Sequence, residues 1–110
     1  MLGKKIIAAT IGDEACFIRS LNAGKSAVTV IELLQRVGNE PALFLELGAI
    51  LVCLCHCDAQ GARTYQDAQL DEIKEEASFA YLQEFTQKAL EISGLGEDAE
   101  AVRKNSSIAP

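Results

Sequence analysis

The sequence predicts a mainly α fold: a small single-domain helical protein, with allowance for a short N-terminal β-hairpin. Three observations lead there. The core must be aliphatic, because 49% of the 110 residues are hydrophobic while aromatics are 5% and tryptophan is absent, and Ala, Leu, Ile and Val in that mixture pack helix on helix. Apolar residues recur with helical spacing in the middle and late chain. Helix start and stop residues bracket those segments. The length is that of one domain, so residues 1–110 are read as a single unit. Residues 1–21 are its least constrained segment and residues 105–110 its frayed tail.

The first apolar stretch, Leu2 to Ala9, fits a short helix or a strand. "IGDE" (Ile11 to Glu14) follows as a turn, where glycine and aspartate supply the bend. "ACFIRSL" (Ala15 to Leu21) alternates loosely and reads as a short strand. Asn22 is a helix N-cap candidate, with Ser26 the rival start. The helix "SAVTVIELLQRV" then sets Val30, Leu33, Leu34 and Val37 on one face, and Gly38-Asn39 closes it.

Pro41 suits the first turn of a second helix, where a missing N–H costs nothing. "PALFLELGAILVCLCHC" is apolar on nearly all sides. Such a helix is buried on several faces, so it is the central helix or contributes to a subunit interface. "DAQG" (Asp58 to Gly61) is a turn and "ARTY" is short and extended. "QDAQLDEIKEEA" is a polar helix anchored by Leu70 and Ile73. In "SFAYLQEFTQKALEIS", Ser78 caps a helix whose buried stripe is Leu82, Phe85, Ala89 and Leu90, and Gly94 stops it. "EDAEAVRKN" adds a last short helix, and "SSIAP" frays.

Charge excludes some functions. The net charge is −6 and the pI near 4.7. Basic residues are adjacent only as Lys4-Lys5 and Arg103-Lys104. Nucleic acid is not an expected partner, since a duplex binder needs a basic face for phosphates. Acidic residues crowd Asp67 to Glu100 against Lys74 and Lys88 alone, giving a solvated or partner-facing surface. The longest apolar run, Leu47 to Cys55, is too short to cross a membrane, which takes ~20 residues. "MLGKKIIAAT" lacks the long apolar run of a secretory leader. The expected setting is the cytoplasm, with the cysteines as reduced thiols.

The densest chemistry is "CLCHC". Cys53, Cys55, Cys57 and the lone histidine, His56, fall within five residues. If the helix continues through them, Cys53, His56 and Cys57 share a face and Cys55 points elsewhere. With Cys16 as a fourth ligand, that face would suit zinc in a metal- or thiol-based sensor. Against this, the paired Cys-x-x-Cys spacing of structural zinc and redox sites is absent. The simpler reading makes Cys53 and Cys55 small core residues, with His56 and Cys57 in the last helical turn, the histidine facing the negative end of the dipole. No metal ligand is assigned. "NAGKS" (Asn22 to Ser26) ends like a phosphate-binding loop, but Arg19 stands where that motif needs glycine. Asp71-Glu72 and Glu75-Glu76 read as a solvated face. No triad-like set or acid against an apolar wall marks an enzyme. Catalytic, cofactor and metal residues are all expected to be absent.

From Leu51 to Ser106 the chain resembles the tail assembly chaperones of long-tailed bacteriophages. The carriers are "CDAQGARTYQDAQLDEI" (Cys57 to Ile73) and "LEISGLGEDAEAVRKNS" (Leu90 to Ser106). Asp58, Gly61, Tyr65, Asp67, Leu70, Ile73, Gly94, Leu95, Gly96, Lys104 and Asn105 fall in step with the family pattern. "FIRSLNAGK" is similar to its entry segment. Gln66 departs from it, standing where a capping Ser or Thr is commoner, and the Cys-Leu-Cys-His-Cys run is not part of it.

The resemblance implies a non-catalytic protein of the host bacterial cytoplasm that is absent from the mature virion. It would bind the tape measure protein, keep it soluble and help recruit tail tube subunits. In many members a frameshifted longer form contacts the tube protein. Many copies along one client imply a homo-oligomer. Leu43, Phe44 and Leu47 are candidates for a client groove, and equally for core.

Overall fold

The structure is a computed structural model and describes residues 5–95. Its sequence order begins with strands β1 (Ile6–Ile11) and β2 (Glu14–Arg19). Helices α1 (Lys25–Val37) and α2 (Leu43–Cys55) follow, then strand β3 (His56–Cys57). A single 3-10 turn (Asp67–Gln69) leads into α3 (Leu70–Glu76), and α4 (Phe79–Ile92) ends the described chain. The strands form one antiparallel sheet in the order β1-β2-β3. The fold is therefore α+β, which corrects the mainly α expectation.

The hairpin forms because Gly12 can take φ +61°, the backbone that a two-residue II′-type turn needs at its first central position. Ile11 then pairs with Glu14, and the ladder runs back to Ile6 opposite Arg19. Residues 6–21, open between helix and strand in the sequence, are mostly strand because this pairing satisfies their backbone.

Helix α2 is the centre of the molecule. Phe44, Leu47, Ala49, Leu51, Val52, Cys53 and Cys55 are all buried. It packs against α1, α3 and α4 and reaches the sheet at β3. Helix α4 lies against β1 and β2. Gly48 lets α2 and α4 come close: a Cβ there would sit 3.1 Å from Thr86 Oγ1 and 3.2 Å from Leu82 Cβ. Phe44 and Leu47 belong to this core, and Leu43 is half-buried against it. They form no open groove.

Several local signals act as the residues dictate. Ser78 caps α4 by accepting from Tyr81 N–H at 3.1 Å. Leu82, Phe85, Ala89 and Leu90 are its buried stripe. Gly94, at φ +83°, ends α4 in a Schellman arrangement, with Leu95 N–H donating to Leu90 O and Gly94 N–H to Glu91 O. Helix α1 differs at its start. Gly24 occupies the cap, so neither Asn22 nor Ser26 does. Its buried face is Val30, Leu33 and Val37, with Leu34 half-buried. The predicted short helix over Glu97 to Asn105 and the tail at 105–110 lie outside the described residues.

Candidate functional site

The cysteine–histidine run divides between two elements. Cys55 is the last residue of α2. His56 is extended, at φ −69° and ψ 122°, and begins β3. Phe17 pairs with Cys57 and Ile18 with His56. The chain thus leaves the helix before His56, and the shared face of Cys53, His56 and Cys57 does not form. The turn that was to hold His56 and Cys57 is a strand instead. Among the described residues, no group of three or more His, Cys, Asp or Glu is placed to hold a metal ion.

The four cysteines are buried thiols. Burial pushes the Cys55 thiol up to about 12, against the pull of Arg19. Burial also raises Cys16 and Cys53. Cys53 Sγ donates to Gln66 O at 3.7 Å. A thiol held protonated is a poor ligand and a poor nucleophile.

Two arginines take the role expected of His56 at the end of α2. Arg19 Nε donates to Leu54 O at 2.7 Å, and its Nη1 to Gly61 O at 3.3 Å. Arg63 Nε donates to Cys53 O at 2.7 Å while its Nη2 pairs with Asp67 at 2.7 Å. Both place positive charge against the negative end of the helix. Neither lies near enough in sequence to Cys55 to be read as its cap.

His56 enters a ring stack. Its ring lies 5.8 Å from Phe85 at 15° and meets Tyr65 edge-on at 5.2 Å. Phe85 stacks in turn on Tyr81 at 6.0 Å. His56 Nδ1 is 2.8 Å from Thr64 Oγ1. Burial lowers its pKa, opposed by Glu14.

Beside this stack lies a cavity of about 370 Å³ between β2, α3 and the start of α4. Val52, Ile73 and Ala77 give it apolar walls, Tyr65 and Tyr81 its rings, and Glu14, Glu72 and Glu76 its charge. Burial, reinforced by Glu14, raises both phenols, so they stay protonated. Among the described residues no basic side chain lines it, so the field they set favours cations over anions.

The sheet supplies the second surface. Ladder pairing sets Ala8 beside Phe17, Thr10 beside Ala15, and Phe17 beside Cys57 on one face. Helices α2 and α4 pack on the other, where Ile11, Cys16 and Ile18 are buried. The outer face is mostly apolar and is open over β1 and the middle of β2; Arg19 lies on it beside Ile6, and Cys57 at its β3 side is buried. Ile6 is 36% and Phe17 37% exposed, and Ala8, Thr10 and Ala15 are exposed between them. A concavity of about 490 Å³ runs along Ala8, Thr10, Phe17 and Cys57 to Asp58 and Thr64.

No protein-family model, curated protein or solved structure matches the chain. The residues that carry its phage-chaperone resemblance can still be given physical roles. Asp58 Oδ1 accepts from Gln60 N–H and Ala62 N–H, both at 2.9 Å, and Gly61 takes φ +88° in the same turn. Asp67 pairs with Arg63. Ile73 and Leu70 anchor α3 to the core. Gln66, the departure from the pattern, begins the 3-10 turn with its N–H held by Gln69 Oε1 at 2.8 Å. Gly96, Lys104 and Asn105 lie outside the described residues. The rest of that pattern describes how the chain folds; the exposed sheet face and the acidic cavity carry the surface chemistry. Sequence reasoning did not pick out Phe17 or Glu14 as surface residues. Phe17 was legible in the alternation of Ala15 to Leu21 once the hairpin is accepted.

Proposed function

We propose that this protein is a tail assembly chaperone of a long-tailed bacteriophage, acting in the host cytoplasm. It binds the tape measure protein, keeps it soluble and helps recruit tail tube subunits, and it catalyses no reaction. The observation that carries this reading is the open apolar outer face of the sheet, centred on Phe17. Exposed apolar surface of this kind on a small domain marks a binding site. An amphipathic client segment can lay its apolar side there. The rest of the chain is acidic, at net −6, which keeps a complex with an apolar client soluble. The cavity rimmed by Glu14, Glu72 and Glu76 offers a counter-charge for basic client residues.

The tail tube protein is the second proposed partner. The metal- or thiol-based sensor on Cys53, His56 and Cys57 gains no support from a geometry that separates these residues.

Co-expression with a fragment of a tape measure protein tests the reading. The fragment moves to the soluble fraction and co-purifies with this chain. A fragment that stays insoluble and forms no complex overturns it.

A further inference from the structure

The cavity between β2, α3 and the start of α4 holds three carboxylates on two walls. Glu14 comes from β2, and Glu72 and Glu76 stand one turn apart on α3. Side chains at i and i+4 lie about 5–6 Å apart between Cβ atoms, and like charges there repel. None of the three forms an ion pair among the described residues. Lys74, the one lysine of α3, pairs with Glu46 and Asp71 instead. The field of all three carboxylates reaches Tyr65, whose phenol is raised by burial first and then by Glu14, Glu76 and Glu72. The rest of the lining is of another kind. Tyr65 and Tyr81 present rings, and Val52, Ile73 and Ala77 present hydrocarbon, around a space of about 370 Å³.

These features together select the occupant. The carboxylates favour positive charge. Among the described residues no group of three or more His, Cys, Asp or Glu is placed to hold a metal ion, so Glu14, Glu72 and Glu76 do not converge on one small ion. Aromatic faces and hydrocarbon walls favour a cation that carries methylenes, through cation–π contact and apolar burial. A single lysine side chain would bring one charge against three. We propose that this cavity binds a free aliphatic polyammonium ion. Its methylene chain lies against Ile73 and the Tyr65 and Tyr81 rings, and its ammonium groups meet Glu14 on one wall and Glu72 and Glu76 on the other. The inference rests on the cavity and stands apart from the chaperone reading.

Titration of the full chain with spermidine tests it. Both tyrosines of the chain line the cavity and tryptophan is absent, so tyrosine emission reports the site directly. Calorimetry and emission follow one saturable isotherm, with a dissociation constant on the order of 50 μM at about 0.15 M salt. Glu72→Gln combined with Glu76→Gln raises that constant at least about tenfold. Asp71→Asn combined with Glu75→Gln removes the same charge from α3 outside the cavity and changes it by less than about twofold. These four side chains are exposed, so both double variants keep the wild-type circular dichroism spectrum. Acetyl-lysine amide, with one charge, binds at least about tenfold more weakly than spermidine, and Mg²⁺ does not displace it at equal ionic strength. A chain that shows no saturable binding overturns the inference. So does an equal loss in the two double variants, which makes the effect one of net charge alone. Acetyl-lysine amide binding as tightly as spermidine assigns the cavity to a basic side chain, and displacement by Mg²⁺ assigns it to a metal ion; either result overturns the polyammonium site.

Discussion

Arg19 Nε lies 2.7 Å from Leu54 O, tying the end of β2 to the last turn of α2. That bond occupies a helix-end carbonyl just where the chain turns from helix into strand. Arg63 does the same for Cys53 O. With two terminal carbonyls satisfied by side chains, α2 can stop at Cys55 and release His56 and Cys57 to pair with β2.

Arg19→Met removes this charged donor and leaves Leu54 O and Gly61 O without it. The loss is about 2 kcal/mol of stability, read as a lower urea midpoint at an unchanged denaturant slope. Arg19→Lys recovers less than half, because an ammonium cannot fork to both carbonyls. An unchanged midpoint in Arg19→Met would show that the contact contributes nothing.

Gly48→Ala brings a methyl against Thr86 Oγ1 and Leu82 Cβ at the α2–α4 crossing. Overpacking there costs about 1–3 kcal/mol, offset by the about 1 kcal/mol that alanine gains over glycine inside a helix, for a net loss of about 1 kcal/mol. Thr86 Oγ1 is buried with no hydrogen-bond partner among the described residues. Thr86→Val therefore raises stability by about 1 kcal/mol. Urea unfolding of the two variants should move in opposite directions, and movement in the same direction contradicts the packing described for this crossing.

Acid weakens the fold through His56. Its pKa in the folded chain is lowered by burial, so the unfolded chain binds the proton more readily. Stability is complete above the ordinary histidine value near 6.5 and is lost as pH falls through that value toward the folded one. Thermal unfolding from about pH 7.5 to about pH 5.5 shows the decline, and His56→Gln flattens it. An equal decline in His56→Gln assigns the effect to other groups.

The Cys16, Cys53 and Cys55 thiols are held protonated in the native state. With Cys55 pushed up to about 12 and Cys16 and Cys53 raised by burial, a disulfide reagent near neutral pH reacts with them at the rate of unfolding. Denaturant accelerates the reaction, and chelators leave the melting temperature unchanged. A drop in that temperature on chelation would revive the metal reading.

Much of the helical part was legible because its determinants are local. Ser78 as a cap, Gly94 as a stop and the spacing of Leu82, Phe85 and Leu90 act within a few residues of one another, so period and capping reveal α4 directly. Helix α2 was legible as a buried helix for the same reason. Its end was not. Cys53 to Cys57 continues the apolar run, and what stops the helix is Arg19 and the backbone of Phe17 and Ile18, far away in the chain. A two-residue strand has no period of its own, so β3 exists only through its partner. The same non-local pairing turned Ile6 to Ile11 into strand and moved the fold from mainly α to α+β. The candidate surface was half legible. Alternation gives Phe17 its face, but only the placement of α2 and α4 decides which face is left open. The acidic cavity joins Glu14 to Glu72 and Glu76 across distant parts of the chain.

In the chaperone proposed above, the outer sheet face holds the apolar client. The most direct measurement is light scattering of a tape measure fragment diluted from denaturant, with wild-type chain or with Phe17→Asp. Phe17 is 37% exposed and lies outside the main core, so the variant should keep the wild-type circular dichroism spectrum, with a melting temperature lowered by no more than a few degrees. Wild-type chain suppresses the scattering in proportion to its concentration, and Phe17→Asp loses most of that effect. Equal suppression by the two proteins, or none by the wild type, contradicts the account.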